Sequence, residues 1–161
     1  MRSFDVGERR ARLARRHHLS PAVPGTDVVA VAERLVGLHA TDPATVFLSA
    51  RARLPGSTVA DVEAALYAER TLVRHLGMRR TLFVVPATLV PVVQAACTDT
   101  IAARERDRLV RDVEAGGLAA DGRRWLDEVE QVTVAVLEEH GEATGAELSR
   151  AVPALQAKLT Y

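Results

Sequence analysis

Apolar residues recur at helical spacing along most of the chain, and the pattern changes character only once, near its middle. From Asp5 to Leu19 the residues are rich in Arg, Ala, Leu and Glu with no glycine after Gly7, which predicts one helix; Ser20-Pro21 and Pro24-Gly25 break it. Thr26 or Asp27 is placed to cap a second helix in which Val28, Val31, Leu35 and Leu38 repeat every third or fourth residue, so this helix should end near His39. Asp42-Pro43 pairs a capping residue with proline at the first helical position, and Val46, Phe47, Ala50 and Leu54 then form an apolar stripe closed by Pro55-Gly56. Ser57 or Thr58 caps a further helix that turns Val59, Val62, Ala65 and Leu66 to a core and Asp61, Glu63 and Glu69 to water.

The run Thr71-Leu72-Val73-Arg74-His75-Leu76, the segment Gly77-Met78-Arg79-Arg80 and the run Thr81-Leu82-Phe83-Val84-Val85 read as two short strands around a turn. Three helices followed by such a hairpin is the winged-helix arrangement, a variant of the helix-turn-helix fold in which one helix typically meets a DNA groove. Pro86 opens another helix, apolar from Leu89 to Ala96 and charged from Arg104 to Glu114, which Gly116-Gly117 ends. Its charged half reads as a solvated face, with Asp107 and Arg111 spaced to pair. Trp125 to His140 carries Val129, Val132, Val136 and Leu137 at helical spacing, Gly141 ends it, and Thr144 caps a helix over Gly145–Val152 with Leu148 and Val152 toward a core.

The expected fold class is therefore mainly α with a short β-hairpin, as tandem winged-helix modules of which the second is incomplete. Residues 1–25 form a basic helix and loop, 26–86 the first module, 87–122 a connecting helix, and 123–161 the start of a second module. The chain reads as truncated, since the helices of this second module lack evident apolar partners, and exposed apolar surface is expected of it.

Composition adjusts this picture little. Aromatic residues make up 4% of the 161, so the core must be built from Leu, Val and Ala, which suits helices packed at close range and disfavours a β-sandwich. Basic and acidic residues balance at 21 each, so any attraction to nucleic acid must come from their distribution. Arg2, Arg9, Arg10, Arg12, Arg15 and Arg16 stand against Asp5 and Glu8 in the first stretch, a net excess of roughly four positive charges. This helix either grips phosphate or is a solvated helix whose basic residues follow composition; Lys158 is the only lysine. Arg74, Arg79 and Arg80 flank the expected wing, where Arg79 and Arg80 are the better placed for DNA.

Cys97 has no partner for an internal disulfide and reads as a buried free thiol; with no apolar run of membrane-spanning length, a cytoplasmic protein is expected. His17, His18, His75, His140 and Cys97 lack ligand spacing, so neither metal nor cofactor is expected. The sequence has no Gly-rich phosphate loop, Gly-x-Ser-x-Gly elbow or zinc-deaminase signature.

Leu35-Val36-Gly37-Leu38-His39-Ala40-Thr41-Asp42-Pro43, then Leu48-Ser49-Ala50-Arg51-Ala52-Arg53-Leu54-Pro55, resembles the opening of the AlkZ-like (YcaQ-like) DNA glycosylases. So do Thr71-Leu72-Val73-Arg74, Met78-Arg79-Arg80-Thr81-Leu82 and Val84-Val85-Pro86, in the same order. The resemblance implies a longer DNA repair hydrolase of tandem winged-helix modules curved around double-stranded DNA, which excises alkylated purines by hydrolysing the N-glycosidic bond. Its Gln-x-Gln or Gln-x-Asp motif, which positions water beside the deoxyribose, falls here on His39 and Thr41.

A 7-alkylated purine is already cationic and leaves readily, so the catalyst has to hold water and stabilise an oxocarbenium-like sugar, by positioning and electrostatics. Neutral His39 is able to accept a proton near neutral pH, whereas Thr41 brings no charge and has a shorter reach. The nearest acid, Asp42, is already used as a helix cap. Read without the resemblance, His39 is a helix C-terminal histidine bonded to the last carbonyls. The readings that stay open are a DNA glycosylase using His39 and Thr41, with Arg9, Arg10, Arg12, Arg15, Arg16, Arg79 and Arg80 on the DNA backbone; a non-catalytic or regulatory DNA-binding scaffold; and a helical protein-interaction domain.

Overall fold

A computed structural model of the chain describes residues 3–159. It is mainly helical with one small sheet, and it divides between Ile101 and Ala102 into two units.

In the first unit, α1 (Val6–Arg16) begins at Asp5, whose carboxylate accepts the Glu8 amide at 2.7 Å, and it buries none of its residues. Helix α2 (Val28–Leu35) starts in the same way, with Asp27 accepting the Ala30 amide at 2.8 Å, and turns Val28, Val31 and Ala32 into the core. It stops four residues before His39, contrary to the apolar spacing. Val36 adopts a left-handed backbone (φ 68°), a rare state for a β-branched residue, and ends the helix. Gly37 then passes so close to the next strand that a Cβ there would lie 2.9 Å from the Val85 side chain. Leu38, which the spacing assigned to the helix, instead begins β1 (Leu38–His39).

Helix α3 (Ala44–Arg51) buries Val46 and Ala50, with Phe47 and Leu54 packed at the margin of the core. Helix α4 (Val59–Glu63) opens with a reciprocal capping box between Thr58 and Asp61 and continues as a π-helical turn, Ala64–Ala68. Val62 and Ala65 are buried as expected, but Val59, at the first helical position, is exposed. Strands β2 (Leu72–Leu76) and β3 (Leu82–Pro86) form the expected hairpin. Its turn is built on Arg79 and Arg80, both left-handed (φ 57° and 58°), and closed by the Thr81 amide donating to the Met78 carbonyl at 3.2 Å.

The hairpin is only part of the sheet, since β1 pairs antiparallel with the other side of β3 and gives the order β1-β3-β2. One face, carrying Leu38, Leu72 and Val84, closes over Val31, Val62 and Ala32 to form the core. After β3 come a 3-10 turn (Ala87–Leu89), α5 (Val90–Val93), a π-helical turn (Gln94–Thr98) and α6 (Asp99–Ala115). One regular helix was expected here. The π turn takes up an extra residue and changes the phase, so that Thr98 is buried and Cys97, expected inside, is only half-buried.

In the second unit, α6 ends at Gly117, whose positive φ of 70° lets the Leu118 amide reach the Val113 carbonyl at 3.1 Å. Helix α7 (Gly122–His140) is capped by Asp121, and α8 (Gly145–Ala151) by a second capping box, Thr144 with Glu147. Val113, Leu126 and Val152 are buried, whereas Val132 and Leu137 are exposed rather than covered. Arg106 on α6 clasps Asp127 and Glu130 on α7, and Asp107, spaced in sequence to meet Arg111, takes Arg123 at 2.9 Å.

Candidate functional site

The surroundings of His39 follow from how β1 is held. The Ala40 amide donates to the Leu82 carbonyl at 2.7 Å, and Arg74 on β2 reaches across to donate to the Ala40 carbonyl at 3.0 Å. The Thr45 hydroxyl lies 2.6 Å from the carbonyl oxygens of both His39 and Asp42, so its one hydrogen is shared between them and ties the strand to the start of α3. The Asp42 carboxylate accepts the Ala44 amide at 2.9 Å. Its place at the start of α3 was legible in the sequence, and the contact engages one oxygen of the acid next to Thr41.

His39 itself is exposed, on a strand rather than at a helix C-terminus, which removes the reading in which it bonds the last carbonyls of α2. Its Nε2 lies 3.5 Å from the Thr41 hydroxyl oxygen, which also accepts the Leu82 amide at 3.3 Å. Two residues apart on an extended segment, His39 and Thr41 are thus brought together at the end of β1. The His39 ring meets Phe83 edge to face, with centroids 5.4 Å apart and planes at 88°. Phe83 stands in register between His39 on β1 and His75 on β2. His75 Nε2 lies 3.2 Å from the buried Thr98 hydroxyl, which donates to the Leu76 carbonyl at 2.6 Å. With that hydrogen committed, the Thr98 oxygen acts as acceptor and His75 donates from Nε2.

Such a site offers an exposed imidazole able to accept a proton or orient water, steadied by a hydroxyl and an aromatic ring. Among the described residues, no group of three or more His, Cys, Asp or Glu is arranged to hold a metal ion, and no helix is long and apolar enough to cross a membrane.

The candidate DNA-contacting arginines fall in two places. Arg9, Arg10, Arg12, Arg15 and Arg16 are exposed on α1. Arg12 is engaged there, with a 2.9 Å ion pair to Glu8 and its guanidinium 4.3 Å from the centre of the Phe4 ring. Arg2 lies outside the described residues. Arg79 and Arg80 are exposed at the tip of the hairpin, while Arg74, also exposed, is engaged with the Ala40 carbonyl.

Phe83, His75, Thr98 and Thr45 were not singled out by sequence reasoning. The signal for Phe83 was present all the same. Once the turn is centred on Arg79, antiparallel register places 75 opposite 83. The partnership with His39 was hidden, because a two-residue strand leaves no periodic trace.

Comparison with curated proteins and with solved structures gives no match. Residues 32–160 match the family model described as DNA glycosylase AlkZ-like, a span that takes in the second half of α2, the His39–Thr41 pair and the hairpin. The chain belongs to the AlkZ-like DNA glycosylase family.

Proposed function

We propose that the protein binds duplex DNA and hydrolyses the N-glycosidic bond of an alkylated purine, with His39 and Thr41 at the site that handles water. The observation that carries this reading is their juxtaposition, 3.5 Å apart and exposed at the end of β1, inside the span matched by the glycosylase family. In the proposed reaction the bond from the sugar C1′ to the purine nitrogen breaks and its electron pair leaves with the base, discharging the cation that alkylation created. A water oxygen then bonds to C1′, and its proton passes to the His39 imidazole. Thr41 lies within 3.5 Å of the imidazole and supplies no charge.

The DNA-binding part of the proposal rests on a winged-helix reading of α2, α3, α4 and the sheet β1-β3-β2, with a short strand following the first of the three helices and a hairpin following the last. Arg79 and Arg80 at the hairpin tip and Arg9, Arg10, Arg12, Arg15 and Arg16 on α1 would meet phosphate.

A second reading is favoured by a specific observation. The Thr41 oxygen already accepts the Leu82 amide, and position 41, two residues from His39, brings a neutral hydroxyl where the family motif brings an amide or a carboxylate. On this reading the scaffold binds DNA without cutting the glycosidic bond.

Incubation with a duplex containing 7-methylguanine, with binding and free-base release measured together at two salt concentrations, separates the readings. Salt-sensitive binding with release of 7-methylguanine is expected. Salt-sensitive binding with no release would leave the scaffold reading, and indifference to DNA would overturn both.

A further inference from the structure

The site described above leaves one aromatic group unassigned. Phe83 is half-buried on the central strand, in register with a histidine on each side, and its contact with one of them is a defined edge-to-face pair rather than general packing. An exposed imidazole on a two-residue strand has little else to fix its torsions. The Thr41 oxygen at 3.5 Å is at the limit of hydrogen-bonding distance and cannot alone hold the ring, whereas an aromatic pair in T-shaped geometry restricts both tilt and rotation.

The Phe83 ring is itself confined. A Cβ at Gly77 would lie 3.2 Å from Phe83 Cδ2, so the ring occupies the space that a side chain at 77 would need. On the neighbouring strand, His75 is fastened through Nε2 to the buried Thr98 hydroxyl. The Phe83 ring thus lies against Gly77 just past the end of β2 and meets the His39 ring edge to face.

We infer that Phe83 is the positioning residue for His39, setting the orientation in which the imidazole faces Thr41. The inference rests on the proposed use of His39 for the meaning of that orientation, but the orientation is measurable without any reaction. Phe83 touches no reacting atom; it acts through His39, and small misplacements of a catalytic group are costly.

The test combines NMR of the His39 imidazole with base release from the 7-methylguanine duplex, in the wild type, Phe83→Leu, Phe83→Tyr and Gly77→Ala. In Phe83→Leu the imidazole resonances should move, the nuclear Overhauser contacts from the imidazole to the Thr41 methyl should fade, and base release should fall by about 10-fold or more. Phe83→Tyr, which keeps the ring, should restore both. Gly77→Ala should shift the same resonances by crowding the Phe83 ring, which keeps the test decisive if Phe83→Leu fails to fold. Unchanged contacts from the imidazole to Thr41 in Phe83→Leu, or in Gly77→Ala if the former is unfolded, would overturn the inference whatever happens to release. Failure of the functional reading looks different: His39→Ala would release base as fast as the wild type, while the effect of Phe83 on the imidazole would persist.

Discussion

The hydroxyl oxygen of Thr41 lies 3.5 Å from His39 Nε2 while accepting the Leu82 amide at 3.3 Å, so a single atom links the exposed imidazole to the central strand. Replacing Thr41 with valine keeps the side-chain shape and removes the acceptor. A loss of about 1 kcal/mol in stability is expected, with a change in the His39 imidazole resonances. Denaturant titration and NMR of the variant check it; unchanged imidazole resonances would show that Thr41 does not constrain the ring.

Thr98 is a stronger case because it is buried. Its hydroxyl donates to the Leu76 carbonyl and accepts from His75, so Thr98→Val strands polar groups in an apolar setting. We expect a loss of about 1–3 kcal/mol by urea denaturation. A neutral substitution would mean that water replaces the hydroxyl without cost.

The hairpin tip sets stability against the proposed contact with DNA. Arg79 is held left-handed, a conformation that costs an ordinary L-residue roughly 1–2 kcal/mol and that asparagine tolerates. Arg79→Asn should therefore raise stability by up to about 1 kcal/mol while weakening binding to duplex DNA and reducing its salt dependence. Thermal unfolding and binding isotherms at several salt concentrations measure both effects. Stabilisation with unaltered DNA affinity would remove Arg79 from the interface.

How much of this was legible in the chain differs by element. The helix start at Thr144 was readable, and those at Asp27 and Thr58 to within one residue (Thr26 or Asp27, Ser57 or Thr58), because a short polar side chain followed by apolar spacing has a local cause, the unpaired amides of a first turn. The hairpin was readable from its β-branched runs. Strand β1 was not, because Leu38 fits the helical spacing of Val28, Val31 and Leu35, and what removes it from that helix is the left-handed Val36 and the pairing of Leu38 with Val84. That misplacement also put His39 at a helix end. The burial of Thr98 in place of Cys97 depended on a π turn, and apolar spacing carries no signal for one.

The two capping boxes predict an acid-sensitive component of stability. The Thr58 amide, and then its hydroxyl, hold the Asp61 carboxyl below its ordinary value; Thr144 does the same for Glu147, aided more weakly by Arg150 and His140. A folded-state value below the unfolded one means that this stabilisation is fully present above the ordinary carboxylate range and is lost as pH falls through the lowered values. Protection of the α4 and α8 amides, taken relative to their intrinsic exchange rates at each pH, should fall on acidification, and Glu147→Gln should flatten the acid limb for α8 alone. An α8 profile unaffected by Glu147→Gln would contradict the assignment.

Whether His39 serves the hydrolysis of an alkylated purine from DNA is measured by single-turnover release of 7-methylguanine by the wild type and by His39→Ala. Measurable release by the wild type and a loss of about 100-fold or more in the variant are expected, with binding to the duplex retained. Equal release rates for the two proteins would contradict that role.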